Sequence, residues 1–184
     1  MDYQVSLFML GEVARLTLAA IFALAAIHAM RDWTMFDGIV EQYRIAPRWL
    51  AMIAVRSLPP MELAAAGALL VPMMSRVGAS MGMCLMALFT GAIILNIARG
   101  RASIDCGCGG VSGQKLSLGL VLRNAGVMVA LAVAGTAPTS GPIDGMTVIG
   151  VLCASVALIA LYFAVNQLMR NFQQFSAISS RSRS

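Results

Sequence analysis

Charge is what this chain has least of. Asp, Glu, Lys and Arg together make 11% of 184 residues, against 59% hydrophobic, and the mean hydropathy is +0.83. A soluble domain of that size cannot cover itself with so little polar surface, so the bilayer must be its solvent. Histidine occurs once, as His28. A structural zinc site takes four ligands, usually Cys or His, and the cysteines do not gather to supply the rest, which excludes metal binding. The 14 methionines form no dense Met-x-Met cluster, so they read as packing and not as a copper site. Internal repeats are missing. The first apolar run has neither a basic leader nor a clear small-residue cleavage site, and reads as a retained helix. A net charge of +5 can suggest nucleic acid, but in a membrane protein basic residues set orientation, and no nucleic-acid role is assigned.

What is present is a series of long apolar runs, too long for barrel strands. Five reach the roughly 17 to 25 residues a spanning helix needs: Leu7 to Met30, Leu50 to Pro72, Val77 to Ala98, Ser117 to Gly135 and Met146 to Met169. The expectation is an all-α polytopic bundle of five transmembrane helices forming one membrane domain over residues 1–169, followed by a polar tail, 170–184, whose Ser-Arg-Ser-Arg-Ser ending is expected to be disordered. Pro59-Pro60 should kink or break the second span. Gly141-Pro142 marks a turn.

Five spans put the N-terminus and two connections on one side, where Arg76 is the only basic residue. The other side receives Arg31, Arg44, Arg48, Arg99, Arg101, Lys115, Arg170, Arg181 and Arg183. The positive-inside rule therefore predicts an outside N-terminus and an inside C-terminus. It also puts the third connection inside.

That connection carries the chemistry. Cys106 and Cys108 are separated only by Gly107 and preceded by Asp105. A Cys-x-Cys disulfide closes a smaller ring than Cys-x-x-Cys, and glycine is the residue that permits it. Strained disulfides are the more oxidising and labile ones, which suits exchange. The alternatives are a structural disulfide or two inert surface thiols. Antiparallel tracing brings His28, Arg56, Asn96, Arg99, Arg101 and Arg123-Asn124 toward the same membrane face. Cationic groups there would lower a thiol pKa, while Asp105 would oppose this or accept a proton; the bland reading of the arginines is interfacial snorkelling. Nearer the opposite face, Glu12 and Arg15 sit one turn apart and could pair with Glu62, as interhelical glue or as a proton path. Cys84 and Cys153 lie at similar depth and could form a second thiol pair, or serve as small packing residues.

Arg99-Gly-Arg101 followed by Asp105-Cys-Gly-Cys-Gly-Gly110 resembles the hallmark of the MauE family of methylamine utilization proteins, a MauE/DoxX-like membrane family. The first connection, with Phe36, Val40, Tyr43 and Pro47, is similar too. Gly109 departs from the pattern, which tends to place a bulky residue after the second cysteine. The resemblance implies an inner-membrane accessory protein acting in processing, transport or maturation, including disulfide formation, of the disulfide-rich small (beta) subunit of periplasmic methylamine dehydrogenase. It implies a thioredoxin-like, MauD-like partner. A more distant likeness to DoxX-type and vitamin-K-epoxide-reductase-type bundles implies a quinone as electron acceptor. The alternative is a non-catalytic scaffold for the thioredoxin-like partner. A small transporter built around Glu12, Arg15, Glu62 and the Pro59-Pro60 break is a third reading, which the short repeat-free chain disfavours.

Overall fold

The structure, a computed structural model, describes residues 2–31, 33–43, 47–101, 115–141 and 144–181. Every element among them is a helix: α1 (Asp2–Arg31), α2 (Trp33–Tyr43), α3 (Arg48–Leu70), a 3-10 turn (Pro72–Met74), α4 (Ser75–Ala98), α5 (Leu118–Thr136) and α6 (Gly145–Arg181). Backbone polar groups in hydrocarbon must be satisfied within each segment, and the Ala- and Leu-rich runs do so at little entropic cost.

The expected count of five spanning helices needs correction. Four helices among the described residues, α1, α4, α5 and α6, are long and apolar enough to cross a membrane. The remaining expected span, Leu50 to Pro72, does form a helix, the 23-residue α3. It carries Arg56, Glu62 and two prolines, and it is not among those four. The helix continues through Pro59-Pro60 and does not break there, although each ring removes one backbone donor. Pro59 is fully buried.

Contacts fix the antiparallel trace. Arg15 of α1 reaches carbonyls of Ala134, Ala137 and Pro138, so the start of α1 and the end of α5 share one end of the bundle. Phe8 packs on Gly141 at that end, so closely that a Cβ on Gly141 would stand 2.4 Å from the ring. Opposite, Tyr43 at the end of α2, Ile93 late in α4, and Leu116 and Leu120 at the start of α5 bury one another. The chain thus runs through the bundle with α3 packed against both α1 and α4.

The core lies where α1, α3, α4 and α5 meet, around Leu18, Phe22, Leu69 and Leu131 with Ala14, Ala19, Ala66, Ala79 and Ala134. Small residues set its spacing. A Cβ on Gly78 would lie 2.6 Å from the Leu69 backbone nitrogen, and only glycine permits that approach of α4 to α3.

Two features depart from the expected boundaries. The first connection contains α2, whose signal was the i, i+4, i+7 spacing of Phe36, Val40 and Tyr43. The tail is helical as far as Arg181, because extending a formed helix is far cheaper than nucleating one. At about 1.5 Å per residue α6 is about 55 Å long, well beyond a hydrocarbon layer of about 30 Å. It packs chiefly on α1 and leaves Leu152, Val156, Leu161 and Leu168 facing outward.

Candidate functional site

Asp105, Cys106 and Cys108 lie outside the described residues, but both ends of their connection are defined. α4 stops at Ala98 in a Schellman arrangement. Gly100 adopts φ 73°, its N–H donates to the Ile97 carbonyl at 3.0 Å, and the Arg101 N–H donates to the Asn96 carbonyl at 2.9 Å. Arg99-Gly-Arg101 is therefore a helix stop, because the left-handed conformation after the last turn favours glycine. At the far end, the Lys115 N–H donates to Gln173 Oε1 at 2.9 Å and Gln173 Nε2 donates back to the Lys115 carbonyl at 3.0 Å. Leu116 is then buried against Tyr43, Ile93 and Leu120. The cysteine connection leaves α4 and returns to α5 with both ends anchored.

Beneath it runs a buried polar chain across three helices. Thr90 of α4 donates to the Met86 carbonyl at 2.6 Å and accepts from Asn124 Nδ2 at 3.1 Å. Asn124 Oδ1 accepts from Arg123 Nε at 3.2 Å and Nη2 at 2.8 Å. Arg123 Nη1 donates to Asn166 Oδ1 of α6 at 2.7 Å, and Asn166 Nδ2 donates to the Tyr162 carbonyl at 2.9 Å. The guanidinium lies 5.6 Å from the Tyr162 ring centroid, within cation–π range. Arg123, half-buried, thus donates through three of its N–H groups to neutral amide oxygens of the bundle. Fully buried Asn96 donates to the Ala92 carbonyl at 2.9 Å, while its Oδ1 has no partner among the described residues.

Among the other expected residues, His28 stands in the last turn of α1, its Nε2 buried and without a partner among the described residues. It lines a small cavity of about 180 Å³ with Arg31 and Tyr162. Arg56 and Arg99 are exposed and Arg101 is half-buried. Thr90, Tyr162 and Asn166 were not expected; the available signal was a polar side chain inside a long apolar run, which by default faces the bundle interior.

At the other end Arg15 pairs with Glu12. Its Nε donates to the Ala134 carbonyl at 3.1 Å and its Nη2 to the Ala137 carbonyl at 2.6 Å, with Pro138 also within reach. This is a cap on the last turn of α5, whose carbonyls otherwise lack donors. Glu62 is buried on α3, and the carboxylate that Arg15 holds is that of Glu12. Cys84 and Cys153 are free, exposed thiols on α4 and α6, and they are not paired with one another.

The model of the family described as methylamine utilisation protein MauE matches residues 7–137. Among curated relatives, methylamine utilization protein MauE of Methylorubrum extorquens is 40% identical over 158 residues, 82% of each chain. That of Paracoccus versutus is 36% identical over 82% of each chain, and that of Methylophilus methylotrophus is 35% identical over 86% of this chain and 85% of its own. No solved structure matches the chain. With a family model covering most of the helical bundle and several relatives alike over nearly its full length, the chain belongs to the MauE family of methylamine utilisation proteins.

Proposed function

We propose that this protein is a thiol–disulfide component of the inner membrane that serves methylamine utilisation, exchanging electrons through Cys106 and Cys108 during maturation of the methylamine dehydrogenase small subunit. The observation that carries this reading is the placing of the Cys-Gly-Cys triplet between two anchored ends, the glycine-closed stop at Arg101 and the Gln173-paired Lys115. Fixed ends limit where the sulfurs can travel, while Gly107, Gly109 and Gly110 put no side chain next to Cys108 that would shield it from a partner thiol.

In the forward direction a client thiolate attacks one sulfur of the oxidised pair. The Cys106–Cys108 bond breaks, a mixed disulfide forms, and the displaced thiolate takes up a proton. A second client thiolate then attacks the client sulfur of the mixed disulfide. The client leaves as a disulfide, and the pair is left as a dithiol carrying the client's two electrons and two protons. The disulfide of a thioredoxin-like partner accepts them in the reverse exchange.

Replacing Cys106 and Cys108 together by Ser tests this. Client maturation should be abolished with an unchanged protein level in the membrane. Normal maturation by the double variant would leave a scaffold role for the thioredoxin-like partner and remove the thiol reading.

With α3 counted as a pass through the bundle beside α1 and α4, the charge rule places the N-terminus outside and the cysteine connection inside, whereas direct oxidation of a periplasmic client requires the connection outside. Labelling intact cells with a membrane-impermeant thiol reagent, with and without prior reduction, separates the two. The background must be Cys84→Ala/Cys153→Ala, because both thiols are exposed. Labelling only after the membrane is opened is the outcome expected from the charges; labelling of intact cells after reduction reverses the topology and favours direct exchange.

A further inference from the structure

Both α5 and α6 lean on α1, and between them a cleft of about 470 Å³ opens on the side of the bundle. Its walls are apolar, Leu18 from α1, Ala130 from α5 and Leu161 from α6 among them, and Arg123 stands at one end beside Tyr162. Along α5 the lining runs from Arg123 to Val133, about 15 Å of helix. Gly126 lies on this wall, and a Cβ added there would meet nothing within 4 Å. The cleft is therefore open space that the chain's own side chains leave unfilled.

The charge at its end is uncompensated. Arg123 hydrogen-bonds to Asn124 and Asn166, both neutral, and among the described residues no carboxylate lies within ion-pair reach of it. Three of the five guanidinium N–H groups are engaged in those bonds, so two remain to be used. Arg123 also lies about 8 Å along α5 from its start at Leu118, a depth from which a long side chain meets the headgroup region. A cation at this depth with no counter-charge is costly unless an anion joins it. Basic pockets between transmembrane helices meet that need with anionic lipid headgroups.

We propose that the cleft between α1, α5 and α6 seats one acyl chain of an anionic phospholipid whose phosphate pairs with the Arg123 guanidinium. Apolar matching alone gives no preference, since an acyl chain is equally well placed in the surrounding bilayer. Arg123 supplies the selectivity and the open wall at Gly126 supplies the seat. The inference is independent of the thiol chemistry and survives its failure.

Native mass spectrometry of the full chain in detergent tests it, with phosphatidylglycerol and phosphatidylcholine of matched chains as probes and inorganic phosphate as competitor. Retention of phosphatidylglycerol should exceed that of phosphatidylcholine about tenfold, the scale of one charge-assisted hydrogen bond. Arg123→Gln should abolish the preference. Gly126→Leu should fill the cleft and lower phosphatidylglycerol retention with Arg123 still in place, and Ala130→Leu should do the same from one helical turn away, so the test does not depend on one variant folding. Equal retention of the two lipids by the unaltered chain overturns the proposal. So does displacement by millimolar phosphate, which identifies a free-anion site, or unchanged retention in folded Gly126→Leu and Ala130→Leu proteins, which identifies a headgroup contact without a seated chain. A dimer carrying no lipid overturns it as well, by making a second copy the occupant.

Discussion

Lys115 and Gln173 stand 58 residues apart in sequence and exchange two hydrogen bonds, the glutamine amide pairing with both backbone groups of the lysine. A side-chain amide here does what a neighbouring strand does in a sheet, satisfying an N–H and a C=O together. It ties the point where the chain re-enters the bundle to the C-terminal part of α6. Because the pair is exposed, Gln173→Ala should cost no more than about 1 kcal/mol of global stability. Amide exchange at Lys115 should nevertheless accelerate about tenfold, the signature of a lost local bond; an unchanged rate would show that something else holds this end.

Arg15 predicts a larger effect. Arg15→Met leaves the Ala134, Ala137 and Pro138 carbonyls without their donor and Glu12 without its partner. A loss of about 3 kcal/mol in detergent unfolding is expected, on the scale of a broken buried pair. Arg15→Lys should recover only part, since an ammonium cannot fork toward several carbonyls. Adding Glu12→Gln to Arg15→Met should return some stability by removing the stranded charge.

Gly78 and Gly91 give a matched contrast within α4. A Cβ on Gly78 would stand 2.6 Å from the Leu69 nitrogen and 2.9 Å from the Ala68 carbonyl carbon, both backbone, whereas one on Gly91 meets nothing within 4 Å. Gly78→Ala should destabilise by about 2 kcal/mol, because α3 and α4 must separate. Gly91→Ala should be neutral or stabilising by about 0.5 kcal/mol through helix propensity. Thermal unfolding of the two variants side by side decides it.

Asp144 makes the start of α6 sensitive to acid. Its carboxylate accepts from the Thr147 hydroxyl and from the Thr147 N–H. The hydroxyl bond, opposed by slight desolvation, holds its pKa below the ordinary carboxylate value. A lowered folded-state pKa means that the cap is fully present above the unfolded-state value and is lost as pH falls through the folded one. Exchange of the Thr147 amide should therefore rise only in acid, below the usual Asp range. In Asp144→Asn the cap should persist and the pH dependence should vanish.

The apolar runs located the helices well, since the bounds of α5 differ by one residue from the expected Ser117 to Gly135 and α4 begins only two residues before the expected Val77. Hydrophobic length is a strong signal when the solvent is lipid. It said less about α3, where Arg56, Glu62 and Pro59-Pro60 interrupt the run, and about α2, which is too short to show as a span. Around the cysteine connection, Arg123 and Asn124 could be placed at the right face by tracing alone. Their partners Thr90 and Asn166 could not, because which polar side chains meet depends on helix rotation about the axis. The reach of Arg15 to the end of α5 was hidden for a different reason: its acceptors are main-chain carbonyls, and every residue has one.

The composition of α3 bears on how the protein is made. A nascent chain offers its helices to the bilayer one after another, and each partitions on its own merits. α3 carries Arg56, Glu62 and two prolines within its run, and ionisable side chains are costly in lipid. In the finished fold it rests against α1 on one flank and α4 on the other, and Glu62 is buried. Entry of α3 is thus a joint event with its neighbours, and a chain halted before α4 lacks half of the surroundings that make the site tolerable. The same residues that weaken α3 as an independent span tie its place in the bilayer to the helices around it.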